Sequence, residues 1–246
     1  MILPSNTTGG IMSTRRGVAH AVIAVSFLFS VACSDFQGSI EGRQKKTIAD
    51  NFDVLGNGPN LYVMGYNVEN LFDLEHTVEN GVDKNDYQYL PMDYPGKLQG
   101  CHDVNFKKGE LNQRRYEYCI TTDWTAEKLQ VKLRTIKTVV THSGRLPDVL
   151  GVSEIENANV AQQLGQTLGY DKFIITQSPD SRGIDVAIFY NPEKLQLLEH
   201  YEHEMRAPQY NGKYTRNALI GLFSVKGNSA NNEVLAISMN HWPSQG

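Results

Sequence analysis

The chain has 246 residues, 40% of them hydrophobic and 20% charged, with 27 acidic side chains against 23 basic ones and a formal net charge of −4. That length and balance allow one large domain, or one domain with appendages, built around a sizeable core. The negative sign excludes a protein that holds nucleic acid by bulk electrostatics, so any work on a polyanion must rest on local basic residues and a bound cation.

At the amino terminus, Arg15 and Arg16 precede an apolar, acid-free run from Val18 to Ala32. With its flanks the run is too short to span a bilayer comfortably, and its pattern is that of a signal peptide over residues 1–32, with Met12 as an internal candidate start. Ser30 and Ala32 are the small residues that cleavage requires. Ser30-Val31-Ala32-Cys33 is similar to a bacterial lipobox, in which Cys33 becomes the lipidated first residue and the membrane a partner through that anchor. Either route places the mature protein outside the cytoplasm, as a secreted, periplasmic or outer-membrane species. Loss of residues 1–32 leaves 21 basic against 27 acidic side chains. Residues 33–60 are polar and low in apolar content, which reads as a linker.

The folded domain is expected over residues 61–246. Leu61 to Tyr66 is rich in β-formers and runs directly into the polar cluster Asn67-Val68-Glu69-Asn70. Periodicity is then lost over residues 74–123, an insertion that contains Cys101 and Cys119. A disulfide between those two would close a loop of about 20 residues, worth on the order of 3 kcal/mol in an oxidising compartment, and would keep the segment ordered. Two separate buried thiols are the alternative. Next comes a helix, capped by Thr125, with Leu129, Leu133, Ile136 and Val140 on one face.

Pro147 opens a short strand, Asp148 to Val152, apolar enough to be buried on both faces, and Glu154 and Glu156 follow where it should stop. Acids at the carboxyl end of a buried strand sit at the rim of a sheet, where a hard cation could be held by oxygen ligands. A polar loop opening is the plainer alternative. Val160, Leu164 and Leu168 mark a second amphipathic helix that ends at Gly169, and Tyr170 to Thr176 a strand. After a turn at Pro179 to Gly183, strands are expected over 184–190, 195–205, 217–225 and 234–239. His200 and His203, three apart in a strand, point to opposite faces and do not chelate one ion. Alternation of strand and helix, then strands in succession, predicts an α/β sandwich with mixed sheets.

Four segments taken together, Tyr66-Asn67-Val68-Glu69-Asn70-Leu71, Ser153-Glu154-Ile155-Glu156-Asn157, Arg182-Gly183-Ile184-Asp185-Val186-Ala187-Ile188 and Asn240-His241-Trp242-Pro243-Ser244, resemble the successive motifs of the endonuclease/exonuclease/phosphatase superfamily. The nearest look is that of exported bacterial nuclease-like members. The resemblance implies a DNase I-like, four-layer α/β/β/α sandwich and hydrolysis of a phosphate ester with Mg²⁺ or Mn²⁺. It implies Glu154 as the metal ligand with Glu69 in support, Asn67 and His241 as catalytic residues, and Arg182 and Asp185 as phosphate-binding or supporting groups. An arginine can clamp a phosphate bidentately, and imidazole titrates near neutrality and can steady a pentacoordinate transition state. Asp185, inside an apolar strand, needs a partner, for which His241 or Arg182 would serve.

The sequence lacks two further motifs of that superfamily, Gly-Asp-x-Asn, whose Asp orients or deprotonates the attacking water, and a late Ser-Asp-His. The expectation is therefore a sandwich incomplete at the C-terminus. Nucleic acid, DNA or RNA, is the expected substrate of an extracytoplasmic nuclease of doubtful turnover. The alternatives are an exported protein that binds a phosphorylated ligand without turnover, a partner for a separate second half, and a phospholipid or inositol phosphate phosphoesterase.

Overall fold

The structure, a computed structural model, describes residues 24–26, 60–79, 81–206, 214–227 and 234–242. Two four-stranded sheets form the frame. In the first, β2 (Val63–Leu71) runs parallel to β7 (Val149–Ile155), and β9 (Asp185–Tyr190) pairs antiparallel with both β7 and β8 (Phe173–Ile175). In the second, β10 (Leu195–Arg206), β11 (Tyr214–Val225) and β12 (Val234–Met239) succeed one another antiparallel. A short strand β1 (Ala24–Ser26) adds parallel to the free edge of β12. It falls inside the segment read as an export signal, and the apolar, β-forming run that gives that reading also suits a sheet edge with unpaired amides.

Period-two alternation with both faces covered explains why β7 and β9 are buried almost throughout. Leu150, Val152, Ala187 and Phe189 face the helices α3 (Ala126–Val140) and α4 (Ala158–Leu168), where they meet Leu129, Leu133, Ile136 and Val140 and Val160, Leu164 and Leu168. The intervening Val149, Val186, Ile188 and Tyr190 face the second sheet and pack on Leu195, Leu219, Phe223, Ile237 and Met239. The result is a mixed α/β sandwich, of which the described residues supply helix, sheet and sheet, three of the four layers expected. The helix ends follow local chemistry. Thr125 Oγ1 accepts from the Lys128 amide, Asn157 Oδ1 from the Val160 amide, and α4 stops at Gly169 with φ 101°.

The segment 74–123 is not the irregular loop that its lost periodicity suggested. It holds two hairpins (β3, Val78–Glu79, with β4, Val82–Asp83; β5, Phe106–Lys107, with β6, Glu110–Leu111), a 3₁₀ turn at Tyr87–Tyr89, and two nine-residue helices, α1 (Lys97–Asn105) and α2 (Gln113–Thr121). Periodicity missed them because no apolar stripe buries them. A disulfide joins Cys101 of α1 to Cys119 of α2, and the buried Lys97 ammonium donates to the carbonyls of Leu90 and Thr122. Among the described residues, no helix is long and apolar enough to cross a membrane.

Candidate active site

Three strand ends converge on one rim. At the end of β7, pairing with β9 jumps from Ser153 to Ile155, leaving Glu154 as an extra residue with φ 64°. Such a bulge bends the strand and re-aims one side chain, and a non-glycine residue in left-handed backbone is strained enough to need the surrounding structure to hold it. At the end of β2 the pairing jumps from Asn67 to Leu71, and Glu69 and Asn70 also take positive φ, 53° and 60°. The Asn67 side-chain oxygen accepts from the Glu69 amide at 2.8 Å, so the rest of the Asn67 amide stays available to Glu154. Lys132, from the polar face of α3, donates to the carbonyls of Glu69 and Asn70 and holds the distorted turn against the helix.

Beyond β12, His241 brings its Nε2 to 3.2 Å from Glu154 Oε1, with both side chains largely buried. Burial by itself would raise the Glu154 carboxyl. Hydrogen bonds from His241 and Asn67, with the charges of His241 and Arg182, outweigh it and hold the group below the usual carboxylate range. Asn67, Glu154 and His241 are thus brought together.

The other expected residues fall differently. Glu69 lies on the same rim, but its carboxylate makes no hydrogen bond among the described residues and reaches Lys132 and Tyr66 only through its charge. Arg182 is half-exposed and pairs with Asp180 at 2.9 Å. It stands near enough to Glu154 to favour its ionised form. Asp185 takes neither expected partner. Its Oδ1 accepts from Thr176 Oγ1 and from the Ser178 amide, both at 2.7 Å, because an extended strand at that depth faces the adjoining β8 segment and not the rim. Burial pushes its carboxyl up to about 7 against those hydrogen bonds. Glu156 is also not a rim residue. It is buried, accepts from the Asp73 amide and Thr77 Oγ1, and burial, with Asp73 beside it, pushes its carboxyl well above the ordinary range. Cys33 lies outside the described residues, as do Pro243 and Ser244.

Sequence reasoning missed Arg216 of β11. Its guanidinium donates to the His241 carbonyl at 3.1 Å and lies 3.4 Å from Asp180 Oδ2, fixing the backbone that carries the imidazole. Asp180, buried between Arg182 and Arg216, is kept below the usual range because hydrogen bonds from Arg182 and both positive charges outweigh burial. The signal was present: an arginine two residues before the apolar run Ala218-Leu219-Ile220 needs a partner as much as Asp185 does. Tyr89 was missed as well. It stacks on Phe72 with ring centroids 4.1 Å apart and meets Trp124 edge-on at 6.3 Å.

Among the described residues, no group of three or more His, Cys, Asp and Glu side chains gathers as a metal cage. One ionised carboxylate flanked by an amide, an imidazole and a guanidinium fits a hard cation that keeps most of its water, and an anion beside it.

Comparison with known proteins bears on this rim. A family model described as "Endonuclease/Exonuclease/phosphatase family" matches residues 105–246, the part that contains Glu154, Arg182 and His241. No curated protein sequence matches. Among solved structures, similarity is found to ANGEL2, a 2',3'-cyclic phosphatase, in complex with adenosine-2',3'-vanadate (18% identity, TM-score 0.37, 45% of this chain and 31% of that one). It is also found to the catalytic domain of human Nocturnin with bound sulfate (17%, 0.37, 46% and 44%). A third is an endonuclease/exonuclease/phosphatase from Bacteroides vulgatus (17%, 0.35, 48% and 44%). The chain spans less than half the length of each of these three structures.

Proposed function

Since the chain belongs to the endonuclease/exonuclease/phosphatase family, we propose that it is a divalent-metal-dependent phosphoester hydrolase that cleaves nucleic acid outside the cytoplasm. The observation that carries the reading is the meeting of Asn67, Glu154 and His241, three side chains from the ends of three strands, at one rim. Members of the family are phosphoesterases and nucleases that generally use divalent metals.

Glu154 is the residue to hold Mg²⁺ or Mn²⁺, because it is ionised at neutral pH and largely buried, with Glu69 on the same rim. When bound, the ion supplies a Lewis acid for a phosphoryl oxygen. Asn67 orients the carboxylate through its amide. His241, whose Nε2 donates to Glu154, holds that carboxylate and sets an imidazole beside the phosphate site, while Arg216 fixes its backbone. Arg182, with its guanidinium half in solvent, offers N–H groups to a second phosphate oxygen. Export is supported by Arg15, Arg16 and the apolar run to Ala32, and by the Cys101–Cys119 disulfide, a bond of oxidising compartments. A lipid anchor at Cys33 would hold the protein at a membrane.

A second reading is binding of a phosphorylated ligand at the same rim without turnover. Nicking of supercoiled plasmid by the purified protein with Mg²⁺ or Mn²⁺ separates the two. Cleavage that a chelator abolishes, and that Glu154→Gln lowers at least a hundredfold, is the expected result. Retained metal affinity with no nicking would select the binding reading.

A further inference from the structure

The disulfide-braced insertion presents a surface that the rim chemistry does not use. On α2, Arg114, Arg115 and Tyr118 are all exposed, and Tyr118 is 61% exposed where most of the described aromatic residues are covered. Spacings of four and three put both arginines beside that ring on the helix surface. Neither guanidinium has an ion-pair partner among the described residues, in a chain whose net charge is negative. A cavity of about 280 Å³ opens beside Arg115, lined also by Lys107, Glu110 and Asn112.

This surface is tied to the rim. The Lys97 ammonium joins the carbonyl of Leu90, the residue after Tyr89, to that of Thr122, just past α2, and the Thr122 amide in turn donates to the Tyr118 carbonyl. Tyr89 is fixed by its stack on Phe72, next to Asp73 and the β2 turn. Burial first, then Tyr118 of the insertion and Glu154 of the rim, disfavour a charge on the Tyr89 phenol.

We propose that α2 is a stacking wall for a single-stranded nucleic acid, in which Tyr118 takes a base and Arg114 and Arg115 take the phosphates that flank it. Exposed aromatic rings interleaved with guanidinium groups suit such a strand, since every base has a π-face and every link a negative charge. The proposal rests on the phosphoesterase reading of the rim and names its substrate class.

The test is fluorescence anisotropy of a labelled oligothymidine with the full chain, in EDTA so that turnover does not intervene, against an abasic strand of the same length. The base-bearing strand should bind more tightly. Tyr118→Ser should weaken its binding about tenfold and leave the abasic strand unchanged, and Tyr118→Phe should restore it. Arg114→Gln should reduce the slope of log affinity against log salt by roughly 0.7. Equal affinity for the two strands, no binding by the wild type, or an unchanged Tyr118→Ser variant would overturn the proposal. If the stacking effect is found while Glu154→Gln nicks plasmid like the wild type, the rim reading fails and the wall stands.

Discussion

A carboxyl group closed inside β9 has few ways to stay charged. Every residue of Asp185–Tyr190 is buried, and the two hydrogen bonds that Asp185 accepts do not offset its lost hydration, so its carboxyl titrates at about 7. An unfolded Asp titrates near 3.9, so the folded state binds the extra proton. Its contribution to stability is present below about pH 4 and is lost as pH rises toward 7, a few kcal/mol at most. Asp185→Asn keeps an acceptor for Thr176 and Ser178 and removes that loss. Urea unfolding at pH 5 and pH 8 should show a smaller difference for the variant than for the wild type. Glu156, raised by burial, adds a slope of the same sign at higher pH that the substitution leaves in place. The fate of the two glutamates shows where residue-level reading stops. Both were expected at the rim because they come at the carboxyl end of a buried strand, and in regular strand positions 154 and 156 would point to one face. The left-handed turn at Glu154 breaks that alternation and sends one acid to the rim and the other inward.

At the scale of elements, legibility followed periodicity. The helices α3 and α4, the cap at Thr125, and strand β12 could be read from the sequence because each element buries an apolar face of regular spacing. Helices α1 and α2 could not, because a covalent bond and a buried ammonium take the place of an apolar stripe. Their order depends on that bond. Replacing Cys101 and Cys119 by serine releases a crosslink across a separation of 18 residues, worth about 3 kcal/mol. Limited proteolysis should then cut within residues 74–123 while α3 to β9 remain protected. Equal resistance in the wild type and the variant would mean that Lys97 and the 3₁₀ turn hold the insertion by themselves.

For the whole molecule, the two sheets are joined through one apolar layer. Phe223, fully buried on β11, packs against β9 with its ring centroid 5.1 Å from that of Tyr190. Phe223→Ala should cost about 3–5 kcal/mol, read as a lower urea midpoint in a single transition followed by circular dichroism. Two separate transitions would show that the sheets unfold independently. From residue 61 on, and outside the segment 74–123, the amino-acid order by itself determined which segments are extended or helical and which polar residues follow the strands, since both follow from spacing along one chain. It also placed an amide, an acid and an imidazole at three strand ends. Only the tertiary structure decided that these ends share a rim, that Arg216 anchors the histidine, and that Glu156 and Asp185 turn inward. Those outcomes depend on strand register and on two bulges, which are set by contacts between residues far apart in the chain and leave no periodic mark in it.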